Sequence, residues 1–437
     1  MSEKPHLKGI ASRWARRTLD TARAGATLGV AASRAVADKV LDREDTVDGD
    51  AFADRLDELK GLSMKLGQMM SYLDGAIPPA VQTSLKRLQH RSRAMDWSVV
   101  EGILRDQYGA DAANVFDALE QEPFAAASIG QVHRGRIGDR AVAVKVQYPE
   151  ISKAITVDLE NIGKFAGLAS LGTAVASGPL IEELRARLRE ECDYLQEGAH
   201  QSLFRRLYAH EPGVIVPEVF EGMVRERVLV TGFVGAWSFD EFVEHGTPEA
   251  KNAAALAIWR VVWKSIFQYG LFNGDPHPGN YRFRPSGEVA LLDFGCVRTF
   301  DEAFLTRWRR FAHAVREDDF ATWKEVYREF GFVGSSRYDY DSMWTFVRYL
   351  YEPMLAPRFT FTREHAARAI HLAKADKNLL RTAMPPEWLL LNRLQWGLFS
   401  LLARLDATGD FGAPFWAAIE GTIEVVPRPA RLSGPAR

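Results

Sequence analysis

The 437-residue chain has only two cysteines, Cys192 and Cys296, and they are too far apart to form a redox or zinc pair. A disulfide scaffold is thereby excluded, and a reducing, cytoplasmic compartment is the simplest expectation. An excess of charge is also missing: 55 Lys and Arg against 57 Asp and Glu give a net charge of −2, which leaves no global field to recruit nucleic acid. Long apolar runs are absent as well. Residues Met1 to Ile10 lack the continuous apolar core of a secretory signal. The best candidate span, Ala22 to Ala37, falls short of the roughly twenty apolar residues a bilayer requires and carries Arg23 and Arg34. No repeat or low-complexity tract occurs, and 47% hydrophobic with 26% charged residues excludes wholesale disorder.

What is present begins with a basic N-terminal segment. Lys4, Lys8, Arg13, Arg16, Arg17 and Arg23 outnumber the acids there, as in helices that rest on anionic lipid. Peripheral contact at the inner face of a membrane is one reading of residues 1–50, and an alanine-rich soluble helix is the other. From Ala51 to Tyr108 apolar residues fall at helical spacing, and residues 51–122 are expected to form a helical extension.

Between Pro123 and Val146 the pattern changes to two short alternating runs, Gln131 to Ile137 and Arg140 to Val146, separated by the hairpin dipeptide Gly138-Asp139. A helical stretch to about Tyr208 precedes two further strand-like runs, Val214 to Val219 and Arg227 to Val234. Beyond Gly235 nearly everything reads as helix except Asn280 to Phe283 and Val289 to Leu292. The expectation is an α+β protein, with an antiparallel β-rich N-lobe over 123–235 and a helical C-lobe over 236–426. The Pro- and Arg-rich end, 427–437, reads as a frayed tail.

The sharpest chemical signal is Asp275-Pro276-His277-Pro278-Gly279-Asn280, followed by Asp293-Phe294-Gly295 thirteen residues after Asn280. On a proline-stiffened loop, an acid and a carboxamide five apart can face one site, the acid orienting a hydroxyl or water and the amide ligating metal. Asp293, at the end of an apolar strand, can hold Mg²⁺ against phosphates. A solvated proline turn with an unrelated aspartate is the plainer alternative, and the joint spacing argues against it. Lys145 closes the apolar strand Ala143-Val144-Lys145, where a lysine can reach the α- and β-phosphates if an acid aligns it. Asp193 and Glu197 lie four apart on the helix that follows, a repulsive pair unless a cation sits opposite. Glu197 is the expected partner of Lys145. Lys65 and Gln68 share one face of a helix whose apolar stripe is Leu59, Leu62, Leu66, Met69 and Leu73, ordinarily a solvated pair on a core-packed helix.

Six motifs in order then resemble the UbiB family of atypical kinases, also called AarF-domain-containing kinases. They are Lys65-Leu66-Gly67-Gln68, Ala125-Ala126-Ala127-Ser128, Val144-Lys145, Glu191-Cys192-Asp193, Asp275 to Asn280, and Asp293-Phe294-Gly295. The resemblance covers the chain from about Leu59 onward and implies a bilobal, protein-kinase-like fold that uses ATP and Mg²⁺. It implies a Lys145–Glu197 ion pair, Asp275 as catalytic-loop acid, Asn280 and Asp293 as metal ligands, and nucleotide contacts from Ala125, Ala126, Ala127, Ser128, Lys145 and Val234. In this family the alanine-rich segment is associated with altered nucleotide selectivity and suppressed protein-kinase activity. The extension is implied to fold over the cleft, with Lys65 and Gln68 meeting Glu191 and Asp193, and so to block protein substrates. Few residues separate Gly295 from the helix around Glu302 to Val315, which leaves little room for a peptide platform. The chain departs from the family pattern at Asn273, where a histidine commonly precedes the catalytic-loop acid. It departs again at Thr231-Gly232, where the nucleotide hinge usually has an acid, and in the rewritten segment after Gln89.

The implied function is an ATPase or atypical kinase acting on a small or lipid-like substrate, with quinone-biosynthesis proteins as partners and no nucleic acid. Support of ubiquinone or other isoprenoid-quinone synthesis comes from the resemblance alone. Two alternatives stand beside it: a small-molecule phosphotransferase and a nucleotide-binding scaffold with little catalysis.

Overall fold

The computed structural model describes residues 94–149 except 128, and 192–433 except 334, 335, 376, 377, 379–381, 383 and 384. The expectations for 1–50 and for residues 51–93 of the extension lie outside the described residues. The contacts divide the chain into two compact units. The first takes the described residues to Leu195 together with Glu221–Thr231, and the second takes Gln196–Phe220 and Gly232–Ser433.

In the first unit, helix α1 (Trp97–Tyr108) buries Val100, Ile103 and Leu104, a spacing that places all three on one helical face. After the short strands β1 (Ala118–Leu119) and β2 (Ala125–Ala127) come β3 (Gly130–Ile137) and β4 (Arg140–Gln147), which pair antiparallel from Gly130↔Gln147 to Ile137↔Arg140. The turn between them is the expected Gly138-Asp139, and Gly138 has a φ of 57°, a conformation that glycine alone adopts without strain. Strand periodicity sends Val142, Val144 and Val146 to the fully buried face and Lys145 to the other. The sheet is completed by β6 (Val228–Gly232), in the order β1-β3-β4-β6 with β2 also on β3.

The second unit is mainly helical. Helix α2 (Tyr194–Leu207), whose first two residues belong to the first unit, is followed by β5 (Val214–Ile215). Next come α3 (Phe239–His245), opened by a Ser238–Glu241 capping box, and α4 (Pro248–Phe267), capped by Thr247 with proline in its first turn. Helix α4 is buried along much of its length, and its Trp259, Trp263 and Phe267 stack into an aromatic core with Trp308, Phe411 and Phe415. The remaining helices are α5 (Glu302–Arg316), α6 (Phe320–Glu329), α7 (Tyr340–Leu355), α8 (Arg363–Ala375), α9 (Pro386–Arg404) and α10 (Gly412–Glu420). None of the described helices is long and apolar enough to cross a membrane.

Short strands position the chemistry. β7 (Leu271–Asn273) pairs antiparallel with β10 (Val297–Thr299), and β8 (Tyr281–Phe283) pairs antiparallel with β9 (Val289–Leu291). A small distal pair joins β11 (Phe359–Thr360) to β12 (Thr408–Gly409). The α+β class is as expected, but two details differ from the pattern reading. The run Val214 to Val219 forms only the two-residue β5, which pairs in parallel with β9, because Pro217 lacks the amide to continue a ladder. Strands β7 and β10, three residues each, are too short for alternation to register.

Candidate active site

The loop from Asp275 to Asn280 leaves β7 and ends in a single turn of 3₁₀ helix, Pro278–Asn280. The His277 ring nitrogen Nδ1 caps this turn by accepting from the Gly279 amide at 3.1 Å, and the Asn280 amide donates to the His277 carbonyl at 2.9 Å. Asn280 Nδ2 then donates back across the loop to the Asp275 carbonyl at 3.0 Å. That bond uses the nitrogen end of the carboxamide and leaves Oδ1 as the end able to face a cation. The Leu292 amide donates to the Asn280 carbonyl at 2.9 Å, fastening this loop to the strand that delivers Asp293.

Asp293 begins a tight turn. Its Oδ1 accepts from the Gly295 amide at 3.0 Å, and its own carbonyl accepts from Asn273 Nδ2 at 2.7 Å. Phe294 is wholly buried, with its ring 5.0 Å from that of Phe204. Asp275, Asn280 and Asp293 line one cavity, together with the polar Asn273, Tyr281 and Ser265 and the apolar Phe204, Ile258, Val261, Leu291 and Leu394. Burial pushes the Tyr281 phenol above its usual range, and the charges of Asp275 and Asp293 act in the same direction. Tyr281 thus presents a protonated hydroxyl beside two carboxylates.

The oxygens of Asn280 and Asp293 fit a hard divalent cation, and Mg²⁺ characteristically takes one or two carboxylates and fills its remaining positions from phosphates and water. Among the described residues no cluster of three or more His, Cys, Asp or Glu side chains forms a self-sufficient metal cage.

In the first unit, Lys145 stands opposite Val132 in the β3–β4 ladder, and its Nζ lies 4.9 Å from the centre of the Tyr194 ring, within range of a cation–π attraction. Asp193 immediately precedes that tyrosine and is half-buried, whereas Glu197, three residues further along α2, is 2% exposed. Ala125, Ala126 and Ala127 are not a loop: they form β2 and pair with Val132, Gln131 and Gly130. Val234 is half-buried in the irregular segment after β6. Ser128, Lys65, Gln68 and Glu191 lie outside the described residues. The structure thus brings Asp275, Asn280 and Asp293 to one cavity, and places Lys145 and the alanines in the other unit, on β4 and β2, which both pair with β3. Pattern reading passed over Tyr281 and His200. Tyr281 directly follows Asn280 and could have been found from its position; nothing in the sequence singles out His200.

An antiparallel sheet bearing a strand lysine, and a helical unit bearing an acid–amide loop and an Asp-Phe-Gly turn, define the class of kinase-like folds. The model of the ABC1 atypical kinase-like domain matches residues 87–327, and the chain belongs to that family, whose members include the UbiB-type atypical kinases. It is 30% identical over 385 residues to the atypical kinase coq-8, mitochondrial, of Caenorhabditis elegans, covering 84% of this chain and 50% of that protein. It is 29% identical over 269 residues to the atypical kinase COQ8B, mitochondrial, of Danio rerio, covering 61% and 43%. The chain therefore spans about half the length of these relatives. Among solved structures, the Rv3197–erythromycin complex from Mycobacterium tuberculosis matches with a TM-score of 0.64 at 26% identity, over 84% of this chain and 94% of that one.

Proposed function

We propose that the chain binds Mg-ATP and acts as an ATPase or phosphotransferase of the UbiB type, supporting ubiquinone or other isoprenoid-quinone lipid synthesis at the surface of a membrane. The observation that carries this reading is the convergence of Asp275, Asn280 and Asp293 on one cavity, with the side chains of Asn280 and Asp293 each bonded to backbone. Bound Mg²⁺ would neutralise charge developing on the transferred phosphoryl group. Asn280 Oδ1 and the Asp293 carboxylate hold that ion, Asp275 orients the attacking hydroxyl or water, and Lys145, aligned by Glu197, steadies the α- and β-phosphates. Ala125, Ala126, Ala127, Ser128 and Val234 complete the nucleotide contacts, and the methyl groups of the alanine segment restrict how closely the backbone approaches phosphate.

The family's helical extension gates access, with Lys65 and Gln68 set against Glu191 and Asp193, so the acceptor is small or lipid-like. The quinone assignment rests on the family resemblance, with the coq-8 and COQ8B relatives as support. Quinone-biosynthesis proteins are the matching partners, and the basic residues of 1–50 supply the membrane contact.

Purified protein is expected to hydrolyse ATP only with Mg²⁺, faster on vesicles containing anionic lipid, and Asp293→Asn is expected to abolish turnover. Undiminished hydrolysis in that variant would refute the site. A second reading, a phosphotransferase for bulky small molecules, draws support from the erythromycin complex of the M. tuberculosis relative. Phosphorylation of a macrolide by the purified chain would favour it. Metal-dependent nucleotide binding with no turnover at all would instead indicate a switching scaffold.

A further inference from the structure

Both carbonyls preceding Gly295 are held by side chains from outside the turn. Asn273 holds that of Asp293, and His200 Nδ1 lies 3.2 Å from that of Phe294. A carbonyl can only accept, so Nδ1 carries the proton and Nε2 keeps the lone pair. Gln196 Nε2 reaches that lone pair at 3.0 Å and also donates to the Pro429 carbonyl at 3.2 Å. An amide nitrogen has two hydrogens, so Gln196 serves both acceptors at once.

The geometry of α2 makes this relay continuous. Gln196, His200 and Phe204 are spaced four apart and so share one stripe of the helix. His200 grips the Phe294 carbonyl while Phe204 packs on the Phe294 ring, so a single helix face fixes both ends of that residue. At the far end, the residues leading into the C-terminal tail are fastened to those that follow α4. The amides of Glu424 and Val426 donate to the carbonyls of Gln268 and Tyr269 at 2.6 and 2.9 Å, and this pairing carries Pro429 to Gln196.

We propose that Gln196 and His200 are positioning residues that couple the C-terminal segment, through Pro429, to the turn that orients the Asp293 carboxylate. Loosening of that segment removes one acceptor from Gln196, frees the amide to leave His200, and lets the Phe294 peptide rotate. The Gly295 amide, bonded to Asp293 Oδ1, then loses protection. The consequence for catalysis rests on the reading of Asp293 as a metal ligand; the mechanical coupling does not.

The test is amide hydrogen exchange on the full-length chain without nucleotide, comparing wild type with Gln196→Leu and with Pro429→Gly. The second substitution lies outside any helix and guards against misfolding of the first. Exchange of the peptide containing Gly295 is expected to rise about fivefold or more in both variants, together with that of 424–431. Loosening of 424–431 with unchanged exchange at Gly295 would overturn the coupling. In parallel, the Mg²⁺ concentration for half-maximal ATP turnover should rise several-fold in both variants. Absence of Mg-ATP turnover in wild type would remove the functional reading, and the exchange data would still decide the inference.

Discussion

Asn273 Nδ2 lies 2.7 Å from the carbonyl oxygen of Asp293, so the residue two places before Asp275 is tied directly to the turn that carries Asp293. Asn273, at the place where the family resemblance leads one to expect histidine, donates through its carboxamide to this turn. Asn273 Oδ1 also receives the Asp275 amide at 3.5 Å, a long contact that links the two acidic residues through one carboxamide.

Asn273→Ala is therefore expected to lower ATP turnover by about fivefold to tenfold, since a lost hydrogen bond is worth about 1 kcal/mol and the freed carbonyl adds disorder at Asp293. Asn273→His should restore part of the loss by replacing the donor. Steady-state kinetics at saturating Mg²⁺ check this, and an alanine variant with wild-type turnover would show that the tie is dispensable.

Gly397, inside α9, faces the ring of Pro276 so closely that a methyl group there would overlap it. Substitution by alanine, normally favourable in a helix, must here displace either α9 or the loop that begins at Asp275. Gly397→Ala is expected to destabilise the protein by roughly 1–3 kcal/mol and to depress turnover by more than its melting temperature would account for. Calorimetry and kinetics on the same preparation test the pair of effects. A stabilised variant would mean that the loop yields at no cost.

Much of this site was legible in the sequence because its parts are local. Asp275 and Asn280 stand on one short loop, Asp293 ends an apolar run, and Gly138-Asp139 marks a hairpin whose strands alternate cleanly. What could not be read was tertiary. The family resemblance sets the alanines at 125–127 in the place of a glycine-rich nucleotide loop, but they form a strand because β3 offers them a partner. The segment 424–429 has no periodicity, yet it is held by carbonyls of Gln268, Tyr269 and the Gln196 amide, none of them sequence neighbours. Gly397 is an ordinary helical glycine until Pro276 is placed beside it.

Glu211 gives a pH prediction for the second unit. Burial alone would raise its carboxyl, but the hydrogen bonds from Lys264 and Arg260, both at 3.0 Å, outweigh that and hold it below its ordinary value of 4.5. A carboxyl depressed in the folded state contributes stability that is fully present above the unfolded value and is lost as pH falls through the folded one. Wild type should therefore be more stable than Glu211→Gln at neutral pH, and the gap should close below about pH 4. Thermal melts of both proteins across this range check the sign; a gap that widens on acidification would contradict the assignment.

The final prediction separates the two roles proposed within the Asp275–Asn280 loop. If Asp275 orients the attacking group, it acts on the reacting atoms and contributes little to holding Mg-ATP. Asp275→Asn keeps the shape of the side chain and leaves the backbone carbonyl that Asn280 uses. It should retain Mg-ATP affinity within about threefold while losing on the order of 10²–10⁴ in turnover, the usual contribution of a positioned acid or base. Asn280→Asp supplies an oxygen to the metal but forfeits the hydrogen bond to the Asp275 carbonyl. Its turnover should recover partly at high Mg²⁺, because the missing tie affects where the ligand sits more than which ligand it is. Titration of Mg-ATP binding alongside single-turnover kinetics distinguishes the two variants. Equal losses of affinity in both would assign Asp275 to the metal and remove it from the role of catalytic-loop acid.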